Sequence, residues 1–552
     1  MIETLPPRPS PWQLFTAFHS PGPRWPGALR AGLAMGLPGT LALLLGLEAE
    51  LLLIAAGSFT VIHGEGYAYR ARWKVLLTAG AFFITGAVAG AFVGTVVWGQ
   101  IEAGATRWWL LLTVIFSTTI AGFGVFIANA LRLPPPGPWF ILLVAGASTM
   151  TYRLGLNPVE VGAWAGVGVL SSLLVGMAPA LFNPHGPEQK AVRVLEGTVA
   201  DIDGDMSVAK LHQAQTALTN AWFMLADAGA IHAGRIVDSS GLAERTLAAQ
   251  LKLAGTDSRA VDEISDNKNL IDVDRARVPH FRPSVSYRLY RSVHPDSHAM
   301  MTASRVVLAC LGAGVTSVSL GFDRPDWAIV SALLILQWGP DRIPGTVRGV
   351  HRFLGSVLGV VLFGGLHLLG VHGWSLMLAL SVCLFFAEIF VTRNYALTVI
   401  FTTPVALMLG GALDVDLDVT MTERVIEIVF SVVFALVLLW LYRPDAEPAH
   451  HLRLQRRCRR AMSSLLGALL TATPDQTLEL RRDLQYELLS ERRAAQSLAR
   501  NNPDIAEERW NEHLGLQRAG YALLDYCEAH GDLRLPIGDI QAVAERIEAH
   551  HE

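Results

Sequence analysis

Twelve apolar stretches, grouped in two blocks of six, constrain the fold of this chain more than any other feature of its sequence. The hydrocarbon core of a bilayer is roughly 30 Å thick, so a helix needs roughly 20 mostly apolar residues to cross it. Because hydrocarbon offers the backbone no hydrogen-bond partners, continuous apolar runs predict helices. With 51% hydrophobic residues and a mean hydropathy of +0.37, the chain is predicted to be an all-α, polytopic membrane protein.

The two blocks divide the chain into five predicted parts. These are a cytoplasmic N-terminal tail (1–28), a first six-helix membrane block (29–183), a cytoplasmic helical domain (184–300), a second six-helix membrane block (301–442) and a cytoplasmic C-terminal helical domain (443–552). The spans are predicted near 29–46, 49–63, 74–98, 108–131, 137–151 and 160–181, and near 302–320, 326–338, 350–369, 374–391, 396–412 and 425–442.

The composition excludes several classes of function. The chain has 44 Lys+Arg against 48 Asp+Glu, whereas a nucleic-acid binder would carry a net basic face. The four cysteines show no metal-ligand spacing, and free thiols in a reducing compartment are expected. The sequence has no P-loop, no HExxH and no Ser/His/Asp arrangement. We therefore predict neither an enzyme nor a bound cofactor or metal.

The basic residues of the loops predict which side of the membrane each loop faces. With the N-terminus inside, eight basic residues fall on inward loops and four on outward loops. The inward ones are Arg70, Arg72, Lys74, Arg132, Arg342, Arg348, Arg352 and Arg393, and the outward ones are Arg107, Arg153, Arg324 and Arg424. This bias predicts a multi-pass protein of a bacterial inner membrane with both termini in the cytoplasm.

Six spans in each block give the two blocks the same orientation, as in two parallel repeats related by an axis along the membrane normal. The sequence keeps traces of such a repeat. A short second span, a Gly-bearing loop, a basic pair and a Gly-rich third span follow one another in both blocks. The matching residues are His63-Gly64, Arg70, Arg72, Gly86, Gly90 and Gly94 in the first block, and Trp338-Gly339, Arg348, Arg352, Gly355 and Gly359 in the second.

The two polar segments, 184–300 and 443–552, are predicted to form a cytoplasmic helical bundle. Thr473-Pro474-Asp475 and Asn502-Pro503-Asp504 each combine a helix cap with Pro at the first helical position. The bundle has three possible roles, as a dimerisation platform for a homo-oligomer, as a regulatory module or as a support for the spans.

Short or interrupted spans indicate where a transported solute would bind. Trp327–Trp338 has about 12 residues, or roughly 18 Å of helix, which is too short to cross the hydrocarbon alone. Gln337 lies near its inner end, and Pro404, after Thr403, interrupts the eleventh span. The alternative for the interrupted spans is a tolerated kink.

Basic residues at the inner ends of the third spans are the other candidates for solute binding. Arg348 and Arg352 are four residues apart and share one face of a helix, and Arg70 and Arg72 precede the third span of the first block. They could form a cationic vestibule for an anionic solute, or they could be anchors that reach lipid headgroups.

Acidic residues within the spans are candidates for energy coupling because a charge in the bilayer is costly and usually functional. No carboxylate lies clearly at the middle of a span, so a buried proton relay is not predicted. Glu388, toward the inner end of the tenth span, is the best candidate for a coupling carboxylate.

The second block contains a series of short motifs in a fixed order: Asp326-Trp327-Ala328, Leu336-Gln337, Thr346-Val347-Arg348-Gly349, Arg352, Gly355 and Thr403-Pro404. With these motifs the block resembles the fusaric acid resistance-like (FUSC) family of integral membrane transporters. In the first block, Tyr69-Arg70-Ala71-Arg72 and Pro135-Pro136-Gly137 resemble the N-terminal half of the same group. The resemblance implies export of aromatic or other organic acids, and wider relatives include plant anion channels of the aluminium-activated malate type.

One departure from the family pattern concerns the last span. The family often has an Arg followed by small residues at its start, whereas here Arg424 is followed by Val425-Ile426-Glu427. The family's pocket is therefore not carried over in detail.

Three hypotheses for the function follow from these features. The first is a secondary exporter of amphipathic organic anions, with a small-molecule substrate and no nucleic-acid partner. The second is an anion channel, and the third is a membrane scaffold that does not transport. The sequence does not identify the substrate, the coupling ion or any periplasmic adaptor.

Overall fold

The computed structural model describes residues 5, 10–18, 24–47, 50–134, 136–202, 208–232, 235–264, 283–391, 393–409, 412–530 and 533–549. These residues fall into two units. We call residues 10–184 and 292–444 the membrane unit, and residues 1–9, 185–291 and 445–552 the polar unit. Outside turns and loops, the described residues are helical except for one pair of two-residue strands, so the predicted all-α class is confirmed.

Segments of the membrane unit and of the polar unit alternate along the chain. The first half of the membrane unit contains α1 (Pro11–Thr16), α2 (Trp25–Leu44), α3 (Leu51–Ser58), α4 (Thr60–His63), α5 (Tyr69–Glu102), α6 (Leu110–Leu131), α7 (Trp139–Ser148), α8 (Pro158–Met177) and α9 (Pro179–Phe182). The polar unit follows with α10 (Gly186–Ile202), α11 (Val208–Ala228), the antiparallel strands β1 (Ile231–His232) and β2 (Arg235–Ile236), α12 (Leu242–Ile264) and α13 (Val285–Ser292).

The second half of the membrane unit contains α14 (His298–Ser319), α15 (Pro325–Leu336), α16 (Arg342–Leu368), α17 (Gly373–Phe390), α18 (Tyr395–Leu409) and α19 (Leu417–Leu441). The polar unit ends with α20 (Ala446–Leu469), α21 (Leu478–Asn501), α22 (Pro503–His530) and α23 (Ile537–Ala549). Short 3₁₀ helices cover Arg107–Trp109, Thr151–Leu154, Ala412–Asp414 and Pro474–Thr477.

The apolar helices of the membrane unit have two lengths. Among the described residues, eight candidate spans have at least 18 residues: Trp25–Leu44, Tyr69–Glu102, Arg107–Leu131, Pro158–Phe182, His298–Ser319, Arg342–Leu368, Gly373–Phe390 and Leu417–Leu441. Four apolar helices are shorter: Leu51–Gly64, Trp139–Ser148, Pro325–Leu336 and Tyr395–Leu409. Even the 15 residues of α18 extend only about 22 Å, so twelve complete crossings are not confirmed.

The short helices occupy equivalent places in the two halves. We number the apolar helices of each half one to six, as α2, α3 with α4, α5, α6, α7 and α8 in the first half, and α14 to α19 in the second. The second and fifth helices are the short ones in both halves. In both halves the first packs on the second and sixth, the third on the fifth and sixth, and the fourth on the fifth.

The contacts between the halves are also reciprocal. The first helix of each half packs against the fourth helix of the other, which pairs α14 with α6 and α2 with α17. The second helix of each half likewise meets the fifth helix of the other, which pairs α15 with α7 and α3 with α18. The short helices therefore meet one another across the boundary between the halves.

Glycines on the third helix of each half allow the backbone of the fifth helix to approach closely. A Cβ added at Gly90 in α5 would overlap the carbonyl of Ala145 in α7. A Cβ added at Gly359 in α16 would lie 2.9 Å from the carbonyl oxygen of Ile400 in α18. Gly94 and Gly355 make the matching approaches to Thr149 and Ala396. Small residues of this kind favour helix packing in lipid, where the hydrophobic effect gives no preference.

Pro38, which interrupts α2, is accommodated by hydroxyl donors from two neighbouring helices. A proline within a helix leaves the carbonyl four residues earlier without its usual donor. That carbonyl belongs to Ala34, and it accepts hydrogen bonds from the hydroxyls of Ser58 in α3 and Ser171 in α8 at 2.9 and 2.8 Å. The carbonyl that Pro38 leaves without a helical donor therefore has its hydrogen bonds, and the proline is a structural feature of the first span.

The N-terminal residues 10–18 belong to the membrane unit. α1 packs on α16 through Phe15, whose ring centroid lies 4.9 Å from that of His351. The imidazole Nε2 of His351 lies 3.0 Å from the carbonyl oxygen of Phe15. The segment predicted as a tail therefore includes a short helix that packs on the second half.

The C-terminal part of the polar unit is a helical bundle formed mainly by α20, α21 and α22. The predicted helix starts are confirmed, since a 3₁₀ helix begins at Pro474, where Thr473 forms a capping box with Gln476, and α22 begins at Pro503. The core combines leucines such as Leu465 and Leu516 with an unusual number of buried polar side chains.

One of these buried polar groups joins α13 to the bundle. Glu487 in α21 is 1% exposed and accepts a 2.8 Å hydrogen bond from Nε of Arg291. Nε of Arg457 donates at 3.0 Å, and the hydroxyl of Tyr287 lies 3.2 Å away. Two arginines and a tyrosine from α13 and α20 therefore surround one carboxylate of α21.

Candidate functional site

A serine in the short helix α15 connects two buried arginines of the membrane unit. The hydroxyl oxygen of Ser331 lies 3.1 Å from Nη2 of Arg352 in α16 and 3.5 Å from Nη2 of Arg424 in α19. The three residues are 0%, 3% and 1% exposed. α15 begins at Pro325, and Gly339, with a φ of 124°, ends the turn that follows it. The proline favours the start of the helix and the glycine favours the turn after its end, which together keep α15 to 12 residues. The arginines of two longer helices meet beside its middle.

An arginine–carboxylate pair lies at the start of α15. Nε and Nη2 of Arg324 donate to the two carboxylate oxygens of Asp326 at 3.0 and 2.9 Å. The guanidinium carbons of Arg324 and Arg424 lie 4.6 and 5.4 Å from the ring centroid of Trp327. A cation above an aromatic face is attracted by the ring quadrupole, so Trp327 helps to hold both guanidinium groups.

The second acidic residue is Glu427, one turn after Arg424 in α19. Its Oε1 accepts a 2.8 Å hydrogen bond from the hydroxyl of Ser317 in α14, and its Oε2 lies 3.6 Å from Nη1 of Arg424. Glu427 is 1% exposed. We call Arg324, Asp326, Trp327, Ser331, Arg352, Arg424 and Glu427 the arginine cluster.

The arginine cluster has an excess of positive charge and of hydrogen-bond donors. Its three arginines and two carboxylates leave one positive charge if all are ionised. Within the described residues, Nε of Arg352, Nε of Arg424 and Nε1 of Trp327 are buried and have no hydrogen-bond acceptor. Buried donors without acceptors are costly, so the arginine cluster is chemically suited to a negatively charged hydrogen-bond acceptor.

Arg348 and Gln337 lie at the other end of α15. Nε of Arg348 donates to the carbonyl of Ile335 at 3.3 Å, so it binds the negative end of the short helix. Both amide atoms of Gln337 are buried without a partner in the described part of the chain. The hydroxyl of Tyr395 lies beside Arg348 and Arg352.

Thr403 and Pro404 lie where α18 packs against α16. The hydroxyl of Thr403 donates to the carbonyl of Val399 at 2.9 Å, and its Cβ lies 2.7 Å from a Cβ added at Gly359. Pro404 leaves the carbonyl of Ile400 without a helical donor at the same close approach. Both residues shape the packing of the helix that carries Arg352.

The two arginines predicted in the first block lie apart from the arginine cluster. Arg70 is exposed, while Arg72 is buried and donates to the carbonyl of Gly176 in the first half at 3.2 Å. Arg72 also lies 4.7 Å from the ring centroid of Tyr69. Both side chains lie near the start of α5, whereas Arg352 lies ten residues inside α16.

Glu388 lies at the contact between α17 and α2. Its Oε2 lies 3.6 Å from Nη2 of Arg24, and Glu65, which forms a bidentate pair with Arg30 at 2.8 and 2.7 Å, lies close enough to interact with it. Glu388 is 5% exposed. The structure therefore brings Trp327, Arg352 and Ser331 together and leaves Glu388 in a separate group.

The sequence predictions of site residues did not include Ser331, Arg324, Arg424 or Glu427. A signal was present in α19, because Arg424 and Glu427 are an i,i+3 pair of charges within a candidate span, and such charges are usually functional. Ser331 gave no signal, because a single serine in an apolar run is common.

Comparison with known proteins identifies the part of the chain that contains this cluster. The family model described as "Fusaric acid resistance protein-like" matches residues 308–438. This stretch is similar to the fusaric acid resistance-like family, and we call it the fusaric acid resistance-like domain. The resemblance predicted for the second block is therefore confirmed. All residues of the arginine cluster lie within the domain.

A curated relative extends the similarity beyond the fusaric acid resistance-like domain. The chain is 22% identical over 455 residues to the uncharacterized membrane protein YvaC of Bacillus subtilis, a match that covers 70% of this chain and 67% of the relative. No solved structure matches the chain. Together with the eight candidate spans among the described residues, these matches support a multi-pass membrane protein.

Proposed function

We propose that the protein is a secondary transporter that exports organic anions, aromatic acids among them, across the inner membrane of a bacterium. The anionic group of the solute would bind Arg352 and Arg424 on either side of Ser331, and the ring of Trp327 would contact its apolar part. No cofactor is needed, because transport of this kind consists of binding the solute on one side of the membrane and releasing it on the other.

One observation carries this proposal. Two fully buried arginines from different helices share the hydroxyl of Ser331 as an acceptor, although a guanidinium group has five N–H donors. A carboxylate would accept from both guanidinium groups in the charge-assisted geometry that arginine favours. It would also offset the excess positive charge of the arginine cluster.

The proposal includes two parallel repeats of six helices. The order of long and short helices is the same in both halves, and the contacts between the halves are reciprocal. Rocking of one half against the other about a central site is the usual mechanism of transporters with such repeats. The solute site itself is asymmetric, because all seven residues of the arginine cluster belong to the second half.

The proposed orientation has both termini and the polar unit in the cytoplasm. Four of the twelve basic residues counted for orientation, Arg72, Arg324, Arg352 and Arg424, are buried within the membrane unit and face neither side. Without them the count is six inward against two outward, so the bias that supports this orientation is retained.

The experiment is uptake of labelled organic acids into proteoliposomes, with and without a pH gradient. We expect saturable transport that R352Q and R424Q reduce by at least tenfold. R352K keeps the charge but not the fork of donors, and we expect intermediate transport. R107Q is the matched control, because Arg107 is exposed and its ion pair with Asp323 lies at the surface, where such pairs contribute little.

The other two hypotheses predict different results in the same preparation. An anion channel would give stable single-channel currents in planar bilayers and no dependence on a pH gradient. A scaffold would move no acid at all, and R352Q would leave the phenotype of the cell unchanged. Saturable transport that is equally fast in the wild type and in R352Q and R424Q would reject the proposed binding site.

A further inference from the structure

Three side chains from three helices of the polar unit converge on one point in the core of the bundle. Nε2 of His451 in α20 lies 2.8 Å from Oε1 of Glu491 in α21. Nδ1 of His513 in α22 lies 3.0 and 2.8 Å from the two carboxylate oxygens of Glu491. The three residues are 1%, 0% and 0% exposed. The histidines lie 40 and 22 residues from Glu491 in the sequence. The three residues therefore form no short sequence motif from which the cluster could be predicted.

The chemistry of this group is that of a transition-metal site. Each of His451, Glu491 and His513 offers one ligand atom, and these atoms lie within 4.8 Å of one another. In tetrahedral zinc sites with nitrogen and oxygen ligands, the metal–ligand distance is about 2.0–2.2 Å. Ligand atoms around such an ion are therefore about 3.3 Å apart. Two histidines and one glutamate form a known zinc ligand set, with a fourth position for water or another ligand.

We propose that His451, Glu491 and His513 bind a divalent transition metal, with zinc as the preferred ion. The site would join α20, α21 and α22 at the centre of the bundle. It lies outside the membrane unit, and the proposal is independent of the solute site.

The charge around Glu491 supports a metal over a cluster held only by hydrogen bonds. In the described part of the chain, Glu491 has two imidazoles and the amide of Gln517 as partners, and no arginine or lysine. By contrast, Glu487, one turn earlier on α21, has two arginines. A carboxylate buried without a permanently charged partner is costly, and a divalent cation with neutral histidine ligands supplies such a partner.

The surroundings of the three ligands are also suited to a metal. Nε2 of Gln517 donates to Oε2 of Glu491 at 2.6 Å and to the carbonyl of Leu488 at 3.1 Å, which fixes the carboxylate as outer hydrogen bonds do in metal sites. Among the described residues, Oε1 of Gln517 is buried without a donor. The ring of Trp510 packs on His513 with centroids 4.8 Å apart, which holds the imidazole in place.

The test uses the full-length protein, purified in detergent through a tag without histidine. Metal content is measured by plasma mass spectrometry, and cobalt(II) is then added to chelator-treated protein in place of zinc. We expect about one zinc ion per chain, visible ligand-field bands of tetrahedral cobalt, and a melting temperature that falls on chelation and returns on addition of zinc.

Variants locate the metal. H451Q and H513Q should lose the stoichiometric metal and the cobalt bands, while H450Q, which changes the preceding residue of α20, should keep both. The proposal is overturned if chelator-treated wild-type protein gives no cobalt bands and no thermal shift with zinc. It is also overturned if H451Q and H513Q bind cobalt as the wild type does. The wild-type spectrum gives an answer even if a variant does not fold.

Discussion

Arg352 and Arg424 come from different helices and meet at the hydroxyl of Ser331, which lies 3.1 and 3.5 Å from their Nη2 atoms. Like charges at such close range repel each other strongly in a medium of low dielectric constant. The neighbouring carboxylates Asp326 and Glu427 offset part of this repulsion. Binding of an anion would offset the remaining repulsion, so the two arginines favour a negatively charged ligand.

Replacement of Ser331 by alanine tests this relationship without changing a charge. S331A removes the acceptor that the two guanidinium groups share, so we expect them to separate and bind a carboxylate less well. The expected cost is about 1 kcal/mol, or roughly a fivefold increase in KM for transport. S319A is the control, because the hydroxyl of Ser319 is exposed and bonds only within its own helix. Equal KM values for both variants would contradict the role of Ser331.

The arginine cluster was only partly predictable from the sequence. Arg352 and Trp327 were recognised, because one is a basic residue near a span and the other is part of a family motif. The burial of Arg352 inside the membrane unit was not predictable, because the sequence gives its position only relative to the ends of a helix assumed to cross the whole bilayer. α15 is only 12 residues long, whereas its neighbours α16 and α19 are 27 and 25 residues long. Arg352 of α16 and Arg424 of α19 therefore both reach Ser331, although the sequence placed them at opposite ends of their spans.

The repeat of glycines was predictable, whereas the match of basic pairs is not supported by the packing. Gly90 and Gly359 both meet the backbone of a fifth helix, as the spacing of four residues indicated. In chain order, the contacts of Gly90 and Gly94 with the fifth helix of the first half correspond to those of Gly355 and Gly359 in the second half. In this register Arg352 corresponds to Ala87, which is buried and apolar. Sequence order alone had matched Arg70 and Arg72 with the arginines of the second half.

Two glycines of α16 separate the effect of packing from that of helix propensity. A Cβ added at Gly359 would lie 2.7 Å from Cβ of Thr403, whereas nothing lies within 4 Å of a Cβ added at Gly365. We expect G359A to destabilise the protein by about 1–3 kcal/mol because it overpacks the contact. G365A should be neutral or stabilising by up to about 1 kcal/mol. Melting temperatures in detergent check this, and a similar loss in both variants would contradict the close approach.

The polar unit gives a prediction on the dependence of stability on pH. Burial alone would raise the pKa of Glu487, but Arg291 and Arg457 outweigh it and lower the pKa from 4.5 to about 2. A lowered pKa contributes stability above the unfolded value of 4.5, and this contribution is lost as the pH falls from about 4.5 toward 2. E487Q should therefore lower the melting temperature at pH 7, and the difference should narrow below pH 4.

The burial of Glu487 determines how much stability E487Q should lose and which variant serves as its control. Removal of one partner of a buried ion pair costs about 3–5 kcal/mol, because the other charge stays buried without compensation. E479Q is the control on the same helix, because the side chain of Glu479 is 81% exposed and its pair with Arg482 is superficial, which predicts a loss of about 1 kcal/mol or less. A difference between E487Q and wild type that does not change between pH 7 and pH 3 would contradict the assignment.

Glu388 tests whether the contact between the halves couples transport to protons. The pair of Glu388 with Arg24 joins α17 to α2, one of the two reciprocal contacts between the halves, so loss of its charge would weaken that contact during a transport cycle. We expect E388Q to retain binding of the anion but to lose the stimulation of transport by a pH gradient. E102Q is the control, because Glu102 is exposed at the end of α5. If E388Q responded to the gradient as the wild type and E102Q do, Glu388 would not be the coupling carboxylate, and the pair with Arg24 would only hold the two helices together.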